Sequence, residues 1–330
     1  MGDPVGIGPE LICLALNHSE VYDVARPLVI GDVQVLETAK LITKIPGLIA
    51  TINSPGAASY KPGCIDVVNS SHINPETLVW GQPTEITGKA MEHYIITAIN
   101  MALNDDIAAI VTCPINKTAL KLAGSQYHGH TELLADQTGT AEYAMMMAGD
   151  RLRVVLVTIH MSLKQVPQSL TIENIMSTIE TTDYSLKERF GFERPKIAVA
   201  GLNPHSGEAG MFGDEEARII EPAVNFSKKN GIDVSGPYPP DTVFVNAMNG
   251  EFDAVVCMYH DQGLIPFKMI HFSDGVNTTL GLPIIRTSVD HGTAYDIAGK
   301  AVADPGSLIQ AIRLAANQAI CRIEKNYNPA

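Results

Sequence analysis

Short apolar runs alternate with longer amphipathic stretches along all 330 residues, and this alternation limits the fold more than any other feature. A run of four to eight apolar residues predicts a buried strand, and apolar residues three and four apart predict a helix. Strands that alternate with helices are typical of an α/β protein with a mostly parallel sheet. The clearest predicted strands are PLVIGD (27–32), IAAIVTCP (107–114), VVLVTIH (154–160), KIAVAGLNPH (196–205) and AVVCMYH (254–260).

Three segments have apolar residues at helical spacing: 91–102, 172–179 and 306–324. The alternation continues between them without a linker rich in proline or serine. A second domain inserted into the first fits this better than one appended to it. We therefore predict a first α/β domain of residues 1–125 plus 275–330 and an inserted second domain of residues 126–274.

Composition removes several classes of protein. The net charge of −13 and the lack of a dense basic run argue against a nucleic-acid partner. No apolar stretch approaches the roughly 20 residues that span a bilayer. Five scattered cysteines without a CxxC pair suggest neither a disulfide framework nor a cysteine zinc site. The opening residues do not resemble a secretory signal, so we expect a cytoplasmic protein, with a first strand truncated ahead of the MGDP turn.

Three histidines follow predicted strands: His160 and His260 each end one, and His205 lies just beyond a third. In open α/β sheets the carboxyl ends of the strands form the ligand crevice. Three neutral imidazoles that converge there could hold a catalytic metal ion. The alternative for each histidine is a hydrogen-bonded loop residue, because spacings of 45 and 55 residues form no local metal motif. Asp261 and Gln262, next to His260, could orient the ligands or simply belong to a turn.

Two further segments suggest anion binding. In YHGHTELLA, His128, His130 and Thr131 precede a helix predicted to begin near Glu132; its N–H groups could receive an anion, or Thr131 could simply cap it. Arg286 follows the apolar run LPII, and a guanidinium suits phosphate or carboxylate. The alternative for Arg286 is a solvated surface ion pair.

Several nucleotide and nucleophile motifs are missing. GIGPEL has Leu11 where a dinucleotide fingerprint needs its third glycine, so the chain has no Rossmann first turn. It also lacks a P-loop and a GxSxG nucleophile elbow. A dinucleotide would have to bind by another route.

Six long motifs together resemble the 4-hydroxythreonine-4-phosphate dehydrogenase family over almost the whole chain: GDPVGIGPE, YHGHTELLA, GLNPHSGEAGMFGDEE, PPDTVF, MYHDQGLIPFK and GLPIIRTSVDHGTAYDIAG. The resemblance implies an isocitrate/isopropylmalate dehydrogenase-like fold. In that fold two α/β/α domains flank a cleft, no Rossmann fingerprint is needed, and a homodimer completes each site at the subunit interface.

The resemblance also implies roles for individual residues. The metal ligands of the family match His160, His205 and His260. Its substrate contacts match His130, Thr131, Lys268, Asn277 and Arg286. The segment DHGTAYDIAGKAVADP resembles the adenosine-binding loop of the decarboxylating dehydrogenases, which assigns cofactor contacts to His291, Gly292, Thr293, Ala294 and Asp296. Asp241, Lys268 and His130 are the candidates for the general base.

The implied reaction is the NAD-dependent oxidation and decarboxylation of a phosphorylated 3-hydroxy acid, with NADP as the alternative cofactor. One divalent ion per site is expected, zinc first, with cobalt, nickel, manganese and magnesium as alternatives. A paralogous dehydrogenase of D-threonate or D-erythronate 4-phosphate is the nearest rival. A two-domain solute-binding protein and a metal-dependent hydrolase are the rivals from other classes.

Overall fold

A computed structural model describes residues 1–127 and 129–327. Eleven strands lie within these residues. They are β1 (Val29–Gly31), β2 (Leu48–Ile52), β3 (Cys64–Asn69), β4 (Ile110–Thr112), β5 (Ala144–Ala148), β6 (Arg153–Leu156), β7 (Ile197–Ala200), β8 (Val234–Tyr238), β9 (Ala254–Cys257), β10 (Val276–Leu280) and β11 (Arg286–Val289).

The described residues also form twelve α-helices. They are α1 (Gly8–Ala15), α2 (Ser19–Val24), α3 (Val33–Thr43), α4 (Glu85–Leu103), α5 (Lys117–Leu122), α6 (His130–Gln137), α7 (Val166–Ser169), α8 (Ile172–Phe190), α9 (Glu221–Lys229), α10 (Val243–Met248), α11 (His260–Ile270) and α12 (Gly306–Tyr327). Within the described part of the chain, no helix combines the length and apolar character that crossing a bilayer requires.

Helices α4 and α8, each of 19 residues, begin at reciprocal side-chain caps. At α4, the Thr84 Oγ1 accepts from the Thr87 N–H, and the Thr87 Oγ1 accepts from the Thr84 N–H. Thr171 and Asn174 repeat this arrangement at α8. Helix α8 ends at Gly191, whose φ of 74° is the left-handed conformation that favours glycine. These local signals explain why both segments are helical.

The chain divides into two compact units, and unit 1 is discontinuous: it comprises Met1–Ala141 and Leu282–Ala319. Its strands β1, β3 and β2 form a parallel sheet in that order. Strands β4 and β11 pair in parallel, with Arg286 opposite Ile110. Buried side chains of α1, α3 and α4 fill the core around these strands.

Unit 2 comprises Glu142–Gly281 and the chain from Ile320 onward. Its strand order is β10-β5-β6-β9-β7-β8. Strands β6, β9, β7 and β8 are parallel, whereas β5 is antiparallel to both β6 and β10. The expected mostly parallel sheet is therefore mixed.

All five predicted strands are present, although each is shorter than its apolar run. The helices predicted at 91–102, 172–179 and 306–324 are present as well. The unit boundaries differ from those predicted at 125/126 and 274/275. Helix α6 contributes Leu133 and Leu134 to the core of unit 1, and β10 pairs with β5 in unit 2. Residues 328–330 lie outside the described residues.

Candidate functional site

The three histidines singled out in the sequence follow three neighbouring strands of unit 2. Strands β6, β9 and β7 are adjacent and parallel, so their carboxyl ends meet at one edge of the sheet. His160 lies four residues beyond β6, His260 is the first residue of α11 after β9, and His205 follows β7. Strand topology thus supplies the common edge that a shared ion would require.

His160 and His260 are close to each other. Their ring centroids are 6.1 Å apart. Two rings that bind one zinc ion through nitrogens at about 2 Å have centroids roughly 5 to 6 Å apart, so the two rings lie near each other but slightly wider than shared coordination requires. The His260 Nδ1 lies 2.7 Å from the Asp261 Oδ1, which leaves its Nε2 for a ligand. An imidazole oriented by a carboxylate in this way is common at metal sites.

His205 lies on an exposed turn, Pro204–Gly210, whose backbone is left-handed over five successive residues from His205 (φ 52°) to Ala209 (φ 52°). For residues other than glycine this conformation costs on the order of 1–2 kcal/mol each, and such strain clusters at ligand-binding segments. The His205 Nδ1 lies 3.6 Å from the Glu208 Oε2, and its ring contacts Phe212. Within the residues described, no three histidine, cysteine or acidic side chains are grouped closely enough to hold a metal ion. The structure therefore brings together two of the three predicted ligands.

Glu216 fixes the backbone that leads to His205. It is buried, and its Oε1 accepts from the N–H of Leu202 at 2.8 Å and from the N–H of Asn203 at 2.7 Å. Its Oε2 accepts from the Asn203 side chain at 2.9 Å. Both oxygens of one carboxylate thus hold the start of the loop. Sequence reasoning missed Glu216, because the motif alone does not reveal backbone partners.

Gln262 connects the strand ends that lead to His260 and His205. This buried side chain accepts from the Met258 N–H at 2.7 Å and donates to the Gly201 carbonyl at 2.6 Å. Two residues beyond β6, the Thr158 hydroxyl donates to the Met258 carbonyl at 2.7 Å. The three strand ends are therefore tied by side chains. Gln262 acts on the backbone rather than on an imidazole.

Arg286 is buried in unit 1, and only 3% of its surface is exposed. Its Nε and Nη2 donate to the Thr112 Oγ1 at 3.2 and 2.9 Å. Burial lowers the pKa of the guanidinium to about 10, so it remains charged at neutral pH. The alternative of a solvated surface ion pair is wrong, because the side chain is enclosed. A buried guanidinium is a strong recognition group for an anion. Thr112, which anchors it, carried no sequence signal.

His130 begins helix α6 at a half-buried position, and its buried Nε2 has no hydrogen-bond partner. Burial, and next the positive charge of Arg286, hold its pKa well below the usual value of 6.5. The imidazole is therefore neutral at pH 7. Gly129 occupies the cap position, so the capping role considered for Thr131 is wrong; Thr131 lies within the first turn. His128 lies outside the described residues.

The remaining substrate candidates lie in unit 2. Lys268 is half-buried in the last turn of α11, and Asn277 is half-buried on β10, opposite Met147 of β5. Asp241 is exposed just before α10.

The candidate cofactor loop follows β11 in unit 1. His291, Gly292 and Asp296 are exposed, Ala294 is half-buried with a φ of 42°, and Thr293 is buried. The Thr293 carbonyl accepts from the Ile7 N–H at 3.1 Å. The loop is thus anchored to the GDPVGIGPE turn and leaves its first two residues accessible.

Comparison with known proteins gives concordant results. A family model described as "Pyridoxal phosphate biosynthetic protein PdxA" matches residues 23–315. A 4-hydroxythreonine-4-phosphate dehydrogenase from Desulforapulum autotrophicum is 61% identical over 319 residues, covering 97% of this chain and 94% of the relative. A D-threonate 4-phosphate dehydrogenase from Pectobacterium atrosepticum is 45% identical over 316 residues, covering 96% of each.

A solved structure is also similar. The 4-hydroxythreonine-4-phosphate dehydrogenase from Klebsiella pneumoniae has a TM-score of 0.90 and 44% identity, covering 97% of this chain and 96% of that one. Together these relatives identify the chain as a dehydrogenase, an oxidoreductase that acts on a CH–OH group. The chain belongs to the pyridoxal phosphate biosynthetic protein PdxA family.

Proposed function

We propose that the chain oxidises and decarboxylates 4-phosphooxy-L-threonine to 3-amino-2-oxopropyl phosphate, using NAD and a divalent metal ion, in the biosynthesis of pyridoxine 5'-phosphate. The observation that carries this proposal is the set of three histidines at the carboxyl ends of three adjacent parallel strands. The 61% identical relative, which is named for this substrate, supports it. The more specific fold, that of the isocitrate and isopropylmalate dehydrogenases, and the cytoplasmic location stay predictions.

His160, His205 and His260 would hold the metal ion. The donor set fits, because neutral imidazoles suit zinc, and the carboxylate at the His260 Nδ1 directs its Nε2 outward. Zinc is our first choice, with cobalt, nickel, manganese and magnesium as alternatives. When bound, the ion supplies a Lewis acid for the C3 oxygen and for the charge left by CO2 loss, and NAD accepts the hydride from C3.

Residues of the chain bind and orient the substrate. Arg286, fixed by Thr112, neutralises one of the two anionic groups, phosphate or carboxylate. Lys268, Asn277 and Thr131 hold the rest of the molecule. Positioning of this kind lowers the entropic cost of bringing the reacting groups together in the correct orientation.

His130 is the strongest of the three candidates for the general base. Its depressed pKa keeps it neutral at pH 7, and its unpartnered Nε2 can accept the proton of the C3 hydroxyl. Lys268 and Asp241 remain alternatives. The loop residues His291, Gly292, Thr293, Ala294 and Asp296 would bind NAD, with NADP as the second choice.

We also propose that the protein is a homodimer whose sites are completed at the subunit interface. Helix α11 exposes Ile265 and Met269, and Phe272, two residues beyond the end of the helix, is exposed as well; their exposed fractions are 60%, 82% and 83%. Several large apolar side chains exposed within one short segment are typical of an interaction site. A second copy would cover it.

D-threonate 4-phosphate, or D-erythronate 4-phosphate, is the second candidate substrate, and the 45% identical relative named for D-threonate 4-phosphate favours it. The candidates differ at C2, which bears an amino group or a hydroxyl. NADH formation should be assayed with all three esters on the same metal-loaded protein. A kcat/KM highest on 4-phosphooxy-L-threonine supports the first proposal. Activity on the threonate or erythronate ester alone would reject it, and turnover without NAD would indicate a hydrolase.

A further inference from the structure

Glu10, on helix α1 of unit 1, is completely buried and accepts two backbone hydrogen bonds from a loop almost 290 residues later in the chain. Its Oε1 accepts from the Gly299 N–H at 2.6 Å, and its Oε2 accepts from the Ala301 N–H at 2.7 Å. Each oxygen therefore takes one N–H. Hydrogen bonds to a charged acceptor are roughly twice as strong as those between neutral groups.

The loop that Glu10 holds has an unfavourable backbone. Gly299 and Ala301 both adopt left-handed conformations, with φ of 80° and 56°. A Cβ at position 299 would lie 2.7 Å from the Trp80 ring, so only glycine fits there. The left-handed conformation is unfavourable for alanine, because its Cβ lies too close to the following carbonyl oxygen. The loop therefore needs partners that favour this conformation over its alternatives.

The other end of the same loop is tied to the segment that precedes Glu10. The Ile7 N–H donates to the Thr293 carbonyl at 3.1 Å, and the Tyr295 hydroxyl donates to the buried carboxylate of Asp3. The segment from Asp3 to Glu10 thus binds the loop from Thr293 to Ala301 at both ends. All of these contacts lie within unit 1.

We propose that Glu10 is a positioning residue that sets the affinity for NAD by holding the loop from Thr293 to Ala301 in its binding conformation. This inference rests on the proposed cofactor role of that loop. Glu10 contacts only the backbone of the loop, so it acts through Thr293, Ala294 and Asp296. Glutamine at this position would offer one acceptor and one NH2 donor, which leaves one loop N–H facing a donor.

The test compares Glu10→Gln with Asp32→Asn. Asp32 is an equally buried carboxylate of unit 1, which caps α3 by accepting from the N–H groups of Gln34 and Val35. NADH binding is titrated by fluorescence on the whole protein. We expect Glu10→Gln to raise the Kd about tenfold or more, because the loop loses a charge-assisted hydrogen bond that favours its binding conformation. Asp32→Asn should leave the Kd within about twofold, whatever it does to Tm.

Hydrogen exchange without NAD gives a second readout. Peptides that cover the loop should exchange faster in Glu10→Gln than in the wild type, whereas those of α3 should not. Should Glu10→Gln fail to fold, Glu10→Asp is the second variant. It retains the charge, but its side chain is one methylene too short to reach both N–H groups. It should raise the NADH Kd and speed loop exchange, each by less than Glu10→Gln.

The outcomes separate the two proposals. A wild type that binds no NADH rejects the cofactor assignment, and loop exchange then decides alone whether Glu10 holds the loop. Unchanged exchange in the Glu10 variants overturns the inference. Faster exchange with an unchanged Kd overturns its link to NAD.

Discussion

The two units present their candidate ligand groups in opposite ways. In unit 1, Arg286 and its Thr112 anchor are buried, and the buried Nε2 of the neighbouring His130 lacks a partner. In unit 2, His160 and His205 are exposed, and only His160 and His260 are close together. The candidate anion-binding group is held by the protein itself, whereas the third histidine is not grouped with the other two in the part of the chain that the structure describes.

This difference indicates which side chains the protein itself holds in place and which would be held by a bound ion. A buried guanidinium must be held by the protein, because an enclosed charge without partners is costly. An exposed imidazole can be held by a bound ion, provided that the protein fixes the backbone of the segment that carries the histidine. Glu216 and Gln262 supply that backbone support in unit 2. Glu10 does the same for the cofactor loop in unit 1.

The largest expected effect comes from removing a metal ligand. His260→Ala should lose both the bound metal and turnover, with kcat/KM lower by about a thousandfold or more, because a Lewis acid supplies several kcal/mol to such reactions. Metal analysis of the purified protein and NADH formation check this together. His93→Ala, an exposed histidine on α4, is the matched control. Retention of either metal or turnover in His260→Ala would reject the assignment.

The next effect concerns the anion site of unit 1. Arg286→Ala should lower kcat/KM for the phosphorylated substrate by roughly a hundredfold to a thousandfold, because one partner of a buried charge pair is removed. Metal content should not change, which separates the two sites. Arg313→Ala is the control, since Arg313 forms a surface ion pair with Glu20 at 2.8 Å, and such pairs contribute little. Equal losses in the two arginine variants would contradict the comparison.

A smaller effect is expected from the carboxylate that fixes the backbone leading to His205. Glu216→Gln can keep an acceptor for the two backbone N–H groups at Oε1, but it turns an NH2 toward the Asn203 side chain, which donates to Oε2 in the wild type. The loosened loop start should lower metal affinity about 10- to 100-fold. NADH affinity should be unaffected, the reverse of the result expected for Glu10→Gln. Metal titration of the chelator-treated variants measures this. The comparison between the units fails if both variants weaken the same ligand.

The smallest expected effect is on how the free energy of unfolding depends on pH. The pKa of His130 is depressed in the folded state, so the unfolded chain binds its proton first as the pH falls. Stability is therefore lost below about pH 6.5, by about 1 kcal/mol per pH unit until the folded-state pKa is reached. His130→Gln should show a shallower loss in urea unfolding at pH 7.5 and 5.5. A slope as steep as that of the wild type would contradict the burial argument.

Much of this arrangement could be predicted from the sequence because apolar runs report burial. The strands at 154–160, 196–205 and 254–260 were identified, and with them the common origin of the three histidines. Strand β2 was missed because it is largely exposed and therefore lacks a buried apolar run. The antiparallel β5 was missed because alternation of elements does not report strand direction.

Contacts between a side chain and a distant backbone left no trace in the sequence. Glu10 and Glu216 act through such contacts, and Thr112 acts through a hydrogen bond from the distant Arg286 side chain, so residue type and spacing could not reveal them. The capping role considered for Thr131 was wrong for a local reason: α6 begins at His130, with Gly129 in the cap position. Family resemblance named the candidate ligand-binding groups but not the residues that hold their backbone or side chains in place.

Anomalous diffraction tests the central claim most directly. Crystals of the whole protein are grown with cobalt, and data are collected at its absorption edge. One peak per chain is expected, within about 2.2 Å of one ring nitrogen each of His160, His205 and His260. A peak coordinated by other residues, or by His160 and His260 without His205, would contradict a three-histidine site that is completed by its ion.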